Sequence, residues 1–146
     1  MPIRKFTPAD LESYSELLLK TNPWDTKENI ERLLSDKDLD NCFVIENAGK
    51  IIGGIIFEIS PNELYIDWLD VGPDHQGVGL GSKLLQIAID NAKNHKITHI
   101  TAQVAQNNHL GNTFFTRHGF QLDKTIENGI KSGVDANIYN IQINTT

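Results

Sequence analysis

VGPDHQGVGLGS, residues 71–82, carries the strongest structural signal in this sequence. It follows an alternating run at 64–71 that is typical of a strand, and it precedes a run with apolar residues at helical spacing. Because glycine lacks a Cβ, the backbone can turn tightly here and lie close to a bound molecule. The first amides of a helix have no intrahelical acceptor and carry a partial positive charge. The stretch therefore predicts a turn that can hold a phosphate or diphosphate group.

The spacing of the glycines separates this turn from two other phosphate-binding motifs. A nucleotide-triphosphate loop requires Gly-Lys-Ser/Thr, whereas residues 81–83 read Gly-Ser-Lys. A dinucleotide-binding turn requires Gly-x-Gly-x-x-Gly, whereas Gly77, Gly79 and Gly81 alternate. A phosphate-binding domain of another type and a glycine-rich helix start without a ligand remain as alternatives at this point.

Periodicity on both sides of the turn predicts a mixed α/β fold. Helices are expected at 8–20, after a capping box at 25–28, at 81–94 and at 110–118, and strands at 3–6, 41–47, 50–59, 64–71 and 97–105. Residues 120–143 predict two further strands around a loop at 129–133. The order is β-α-α-β-β-β-α-β-α-β-β, and we expect one domain over residues 1–146.

Composition argues against several classes of function. The formal net charge is −6 and no basic stripe alternates with aromatic residues, so no nucleic-acid partner is expected. No apolar run approaches the ~20 residues of a membrane span, so no membrane partner is expected. The histidines lack metal-site spacing, so no metal is expected. The only cysteine, Cys42, lies in an apolar run and predicts a small buried residue in a cytoplasmic protein.

A second motif lies at residues 107–120, which read NNHLGNTFFTRHGF. Together with the Gln-x-x-Gly-x-Gly motif at 76–81 and the Leu-x-Val-x-Pro motif at 69–73, it resembles the GNAT acetyltransferase superfamily. The matching residues of the second motif are Asn108, Gly111, Phe114, Phe115, Gly119 and Phe120. The resemblance is specific from residue 64 to residue 120, and elsewhere it rests on the order of elements.

The resemblance implies a mixed, mostly antiparallel central sheet flanked by helices, and acetyl-CoA as the donor. A bulge in the strand at 64–71 is expected to open the cleft in which the donor lies as an added strand. Residues expected to contact the acetyl group and the pantetheine arm are Leu69, Asp70 and Val71 through their backbone, Asn108 through its side chain, and Phe114 or Phe115 by packing. The amides expected to hold the diphosphate belong to Gln76, Gly77, Val78, Gly79, Leu80, Gly81 and Ser82.

Asp67 is the candidate general base. An amine with a pKa of ~10 is mostly charged at neutral pH, so acetyl transfer needs a carboxylate that attracts the ammonium group and removes a proton, directly or through water. In the alternating strand, Asp67 shares a face with Tyr65 and Leu69, and its position resembles that of the base in aminoglycoside 6′-N-acetyltransferases. Asp70 is the second candidate, since a bulge would change the face on which it lies. A solvated or salt-bridged strand carboxylate is the other interpretation of Asp67.

Two positions depart from the pattern of the family. Phe115 replaces the usual tyrosine that protonates the leaving thiolate, so Tyr65, Tyr139 or water serves, or the thiolate leaves unprotonated. Gln103 stands where ribosomal-protein N-terminal acetyltransferases carry a glutamate, which disfavours protein N-termini as acceptors.

The expected activity is N-acetylation of a small-molecule or side-chain amine by acetyl-CoA. The alternative is a non-catalytic acyl-CoA-binding sensor or subunit. By family habit, a homodimer through the C-terminal strands is possible. The identity of the amine and the preferred acyl chain stay open at this stage.

Overall fold

The computed structural model describes residues 2–36 and 39–144. Its helices are α1 (Leu11–Thr21), α2 (Lys27–Asp36), α3 (Leu80–Asn94) and α4 (His109–Arg117), with 3-10 turns at Pro8–Asp10 and Pro73–His75. Its strands are β1 (Ile3–Lys5), β2 (Cys42–Asn47), β3 (Lys50–Ile59), β4 (Leu64–Val71), β5 (His99–Ala105), β6 (Gln121–Lys131) and β7 (Val134–Gln142). The predicted order of elements is confirmed. Within the described ranges, no helix is long and apolar enough to cross a bilayer.

The strands are hydrogen-bonded in the order β1-β2-β3-β4-β5-β7-β6. β4 and β5 run parallel, whereas β1–β2, β2–β3, β5–β7 and β6–β7 run antiparallel. β3 and β4 are joined by a short turn in which the Ser60 N–H donates to the Glu63 carbonyl oxygen at 2.9 Å, as in a hairpin. The expected mixed, mostly antiparallel sheet of an α/β protein is therefore confirmed.

The described chain separates into two compact units by its internal contacts. The first comprises the residues up to Phe57 together with Leu69–Ile87, and the second comprises Glu58–Trp68 together with the residues from Ala88 onward. β3, β4 and α3 each contribute residues to both units. Organisation as one domain stays a prediction.

In the first unit, two adjacent glycines of β3 decide how α1 and α3 pack. Tyr14 of α1 is fully buried, and a Cβ placed on Gly54 would lie 2.6 Å from its hydroxyl oxygen. A Cβ on Gly53 would instead face Leu84 of α3, with its Cδ1 at 3.5 Å. Because successive strand positions point to opposite faces, α1 and α3 cover opposite faces of β3.

The first helix begins later than predicted, because residues 8–10 form a 3-10 turn and α1 starts at Leu11. Asp10 fixes this turn by accepting a hydrogen bond from the Thr7 N–H at 2.8 Å. The Arg4 guanidinium donates to both carboxylate oxygens of Asp10 at 2.7 and 2.8 Å and holds the pKa of that carboxyl down, at about 2. A partly exposed ion pair therefore joins β1 to the start of α1.

In the second unit, the predicted loop at 129–133 is wrong in extent, since β6 continues to Lys131. The extra length is absorbed by an irregularity in the β6–β7 register between Ile126 and Lys131. Asn128 adopts a positive φ of 54° there, and its N–H donates to the Asp135 carboxylate at 2.9 Å. Where most of the loop was expected, β6 therefore has a bulge in which Asn128 is hydrogen-bonded to the Asp135 side chain.

Cys42 is fully buried in β2, which confirms the expectation of a small buried residue. Burial raises the pKa of its thiol to about 12. The group therefore stays protonated at neutral pH and is a poor nucleophile.

Candidate functional site

The end of β4 exposes main-chain groups on the side away from β3. The Gly72 N–H donates to the Ile52 carbonyl oxygen at 2.8 Å, which fixes the register of the two antiparallel strands. In such a pair, successive residues alternate between bonding to the neighbouring strand and pointing away from it. The N–H and C=O groups of Val71, and by the same alternation those of Leu69, therefore point away from β3. These groups can receive a ligand in the manner of an added strand.

The glycine turn follows directly in the same unit. Gly77 and Gly79 have φ values of 81° and 85°, a region that costs other L-residues roughly 1–2 kcal/mol. Nothing lies within 4 Å of the place where a Cβ would stand on either residue. The predicted glycines are thus required by the backbone, and they leave open space on the outer side of the turn.

Helix α3 begins at the end of this turn. The Lys83 N–H donates to the Gly79 carbonyl oxygen at 3.2 Å, so the amides of Leu80 and Gly81 precede this helical hydrogen bond. With α3 extending over 15 residues, its dipole adds partial positive charge at this end. The arrangement suits a diphosphate, whose charge and acceptor oxygens match these donors.

Gln76 belongs to the same region through its side chain. Its Nε2 donates to the Val71 carbonyl oxygen at 3.0 Å, across five positions of the chain. The sequence predicted a role only for the Gln76 amide. The structure adds a side-chain bond between the turn and the end of β4.

Asp70 lies where its side chain is buried rather than open to solvent. Only 7% of the residue is exposed, and burial raises the pKa of its carboxyl to about 6, an increase that the neighbouring Thr21 and Asn22 reduce. Thr21 is the last residue of α1 and Asn22 follows it. The second candidate base is therefore a buried carboxyl beside α1, with a pKa close to neutrality.

In the second unit, the first three residues of β4 pair with β5. The pairs join Leu64–Ile66 to Ile100–Ala102 in register, and the ladder ends there although β4 continues. Such an early end is consistent with the divergence of these strands that the family resemblance implied, and the bulge expected in β4 stays a prediction.

Tyr65 and Gln103 meet beside the end of this ladder. The Tyr65 hydroxyl donates to Gln103 Oε1 at 3.3 Å. Burial raises the pKa of Tyr65, and the negative charges of Asp67, Glu63 and Glu58 raise it further. Asp67 is half-buried and lies two positions after Tyr65 on the same strand. The meeting of Tyr65 and Gln103 follows from the parallel register, which pairs Tyr65 with Thr101, and no pattern in the sequence indicated it.

Asn108 caps α4, a role that the sequence did not predict. Its Oδ1 accepts a hydrogen bond from the Gly111 N–H at 3.1 Å. A Cβ on Gly111 would lie 2.8 Å from Asn108 Nδ2 and 2.9 Å from Val104 Cγ1, which explains a glycine at this position. The predicted contact between the Asn108 side chain and the donor stays a prediction.

Phe115 is 4% exposed and belongs to the core of the second unit. Its ring meets Phe120 edge-on at 5.0 Å and lies parallel to Tyr139 at 6.1 Å. Phe114, which meets Phe115 edge-on at 5.3 Å, is only half-buried. Of the two phenylalanines, Phe114 is therefore the one with surface left to contact a ligand.

The hydroxyl of Tyr139 is already engaged. It donates to Asn112 Oδ1 at 2.6 Å, and the residue is 5% exposed. Tyr65 is half-buried, so of the tyrosines considered as proton donors it has more surface left to reach a ligand.

Solved structures similar to this chain are acetyltransferases with the same fold. Ard1 from Thermoplasma volcanium has 21% identity and a TM-score of 0.82, covering 98% of this chain and 97% of that chain. The ribosomal-protein-S18-alanine N-acetyltransferase from Escherichia coli has 19% identity and a TM-score of 0.79, covering 99% and 95%. PaiA N-acetyltransferase from Thermoplasma acidophilum, in complex with coenzyme A, has 22% identity and a TM-score of 0.74, covering 97% and 98%. At these identities the similarity shows the fold alone.

No curated protein matches the chain in sequence. The sequence profile of the acetyltransferase (GNAT) family matches residues 6–120. That range contains β4, the glycine turn and α4. This chain belongs to the acetyltransferase (GNAT) family.

Proposed function

We propose that the chain transfers an acetyl group from acetyl-CoA to a primary amine of a small molecule or side chain, by direct attack of the amine. The observation that carries this proposal is the continuity of the first unit between residues 69 and 82. There, outward main-chain groups of β4 lead into a glycine turn and the start of α3. PaiA N-acetyltransferase, a protein of the same fold, was solved with coenzyme A, which supports the choice of donor.

The residues of this segment fit such a donor. Leu69 and Val71 offer outward main-chain groups to the amides of a pantetheine arm. The amides from Gln76 to Ser82 offer donors to a diphosphate, and the open space beside Gly77 and Gly79 admits it closely. When bound, the donor supplies a thioester, which is an activated acetyl group.

Asp67 is the residue proposed to prepare the amine. Its carboxylate attracts the ammonium form and takes its proton, directly or through one water, which generates the nucleophile. A main-chain N–H of the segment 69–71 faces the charge that develops on the carbonyl oxygen. The roles of Asp67 and of the main-chain N–H are both assigned from the positions of these groups on β4.

Tyr65 is the residue proposed to protonate the leaving sulfur. Because burial raises its pKa, the hydroxyl keeps its proton at neutral pH. In the structure the hydroxyl donates this proton to Gln103 Oε1, so in the reaction the O–H turns from Gln103 to the sulfur as it delivers the proton. A thiol with a pKa of ~8.5 is a moderate leaving group, so this assistance accelerates the reaction without being indispensable.

The test is thiol release from acetyl-CoA across a panel of amines that includes aminoglycosides, polyamines, amino acids and a peptide N-terminus. We expect turnover with at least one small-molecule or side-chain amine. The Asp67→Asn variant should lose roughly 10²–10⁴-fold in rate while its affinity for the donor, measured by calorimetry, stays unchanged.

The matched control is Asp123→Asn, which removes the same charge from an exposed position of β6. It should behave like the unaltered protein. Unchanged turnover in Asp67→Asn would reject Asp67 as the base, whereas failure to bind acetyl-CoA would reject the proposed activity.

A second function is favoured by the burial of Phe115, which offers no hydroxyl at the position of the usual acid. A non-catalytic acyl-CoA-binding sensor or subunit predicts tight donor binding without turnover for every amine. The same panel and the same calorimetry separate the two functions.

A further inference from the structure

We propose that Gln76 is a positioning residue that holds the glycine turn at a fixed place relative to the end of β4. The proposal rests on the function proposed above, because it concerns how the donor's arm and diphosphate are bound together. It assigns a task to the Gln76 side chain, whereas the family motif concerns the main chain of the turn.

The geometry of residues 71–77 carries the proposal. Gln76 is extended, with φ −78° and ψ 159°, between the 3-10 turn Pro73–His75 and the left-handed Gly77. From there its side chain returns to the Val71 carbonyl oxygen at 3.0 Å. The two residues joined by this bond are the last residue of β4 and the residue before the first glycine of the turn.

The bond is difficult to explain by stability alone. Gln76 is solvent-exposed, and water competes for both partners of an exposed hydrogen bond. Ordering a long side chain also costs conformational entropy. The net gain in folding free energy from this bond is therefore small. A role in arranging the glycine turn explains the bond better than stability does.

The turn needs such a restraint because Gly77 and Gly79 carry no side chain that could pack against a neighbour. A Cβ on either residue would meet nothing within 4 Å, so the outer side of the turn is open there. Glycine also samples a wider range of backbone conformations than other residues. The hydrogen bond from Gln76 Nε2 to the Val71 carbonyl oxygen, called the clamp from here on, limits the positions of the amides that follow Gln76.

The clamp also selects the groups that remain for the donor at the edge of β4. The Val71 carbonyl oxygen already accepts from Gln76 Nε2, so Val71 presents its N–H to a ligand. A bound arm therefore places a carbonyl group against Val71 while the diphosphate reaches the turn. Both contacts are satisfied at once only when the turn is held at the right spacing.

The test compares two ligands in two proteins. Acetyl-CoA carries both arm and diphosphate, whereas acetyl-pantetheine carries the same thioester and arm without the diphosphate. Calorimetry gives the dissociation constants of each for the unaltered protein and for Gln76→Met, which keeps the length of the side chain but cannot donate. We expect Gln76→Met to weaken acetyl-CoA about tenfold and acetyl-pantetheine less than about twofold.

Two further variants sharpen the comparison. Gln76→Arg restores a donor to the Val71 carbonyl oxygen and should recover the affinity for acetyl-CoA even at high salt, where its charge is screened. Asp123→Asn, at an exposed position of β6, should change neither affinity. Thermal unfolding of Gln76→Met should match that of the unaltered protein.

Equal weakening of both ligands, or no weakening of either, would overturn the positioning role and leave the proposed function standing. Tighter binding of acetyl-CoA by Gln76→Met would also overturn it, since Gln76 would then be a group that the donor must displace. If the unaltered protein binds neither ligand, the proposed function and this inference fall together.

Discussion

The Tyr139 hydroxyl donates to Asn112 Oδ1 at 2.6 Å and ties β7 to α4. The same oxygen accepts from Asn137 Nδ2 at 2.8 Å. On its other side, Asn112 Nδ2 donates to the Asn108 carbonyl oxygen at 2.7 Å and to the Ala105 carbonyl oxygen at 3.1 Å. One carboxamide thus fixes the connection between β5 and α4, which carries the cap of α4.

Replacing Asn112 with alanine should lower the free energy of unfolding by about 3 kcal/mol, because Tyr139 and Asn137 would each keep a buried polar group without this acceptor. Urea denaturation measures the change. Thr113→Ala, at the exposed neighbouring position of α4, is the control and should cost less than about 0.5 kcal/mol. A loss below about 1 kcal/mol in Asn112→Ala would mean that water or neighbouring groups replace the network.

Two neighbouring glycines of β3 should differ in how strongly alanine destabilises the protein. At Gly54 the new methyl group would lie 2.6 Å from Cζ of the buried Tyr14 ring, so we expect a loss of about 2–4 kcal/mol in the free energy of unfolding. At Gly53 the nearest atoms stand at 3.4 Å, which is ordinary contact, so the same substitution should cost less than about 1 kcal/mol. Thermal or urea unfolding of the two variants tests this packing directly, and equal effects would contradict it.

Asp70 should make the protein less stable as the pH rises from about 4 to about 6. Its pKa is raised from 3.8 to about 6 by burial, so the folded state binds the proton more tightly than the unfolded state. The contribution is favourable below pH 3.8 and is lost as the pH passes through 6, amounting to at most about 3 kcal/mol.

The measurement is the difference in unfolding free energy between the unaltered protein and Asp70→Asn from pH 4 to pH 7. The neutral variant should gain relative stability as the pH rises. The raised pKa values of Tyr14 and Cys42 keep these two groups neutral in this range, and Asp10 stays ionised. A difference that does not change with pH would show that Asp70 titrates normally.

Local patterns predicted the elements, but they could not predict which side chains meet. Alternation and helical spacing gave nearly all strands and helices, because these depend on neighbours in the chain. The predicted strand at 97–105 starts at His99 instead, since α3 ends in a turn where Lys96 takes a positive φ of 57° and the Ile97 N–H donates to the Ala92 carbonyl oxygen at 2.8 Å. A lysine gives no signal for that conformation.

The candidate site shows the same limit. The glycine turn was predictable because its backbone requires glycine. The pairing of Tyr65 with Gln103 depends on the register of two strands that are distant in sequence, and the burial of Asp70 depends on the end of α1. Neither contact leaves a local pattern in the sequence.

The two tyrosines of the second unit should respond differently to phenylalanine. Tyr65→Phe removes the hydroxyl bonded to Gln103, and we expect kcat to fall by roughly 10–100-fold with the affinity for acetyl-CoA unchanged. Tyr139→Phe removes the hydroxyl bonded to Asn112, so it should cost about 1 kcal/mol of stability and leave kcat alone. Steady-state kinetics and urea denaturation on both variants separate the two roles.

Because its pKa is raised above 10, Tyr65 stays protonated through neutral pH, so the loss of kcat in Tyr65→Phe should be constant from pH 6 to pH 9. A loss confined to one end of that range would assign the titration to another group, and an equal loss of kcat in both variants would indicate a structural effect instead of proton transfer.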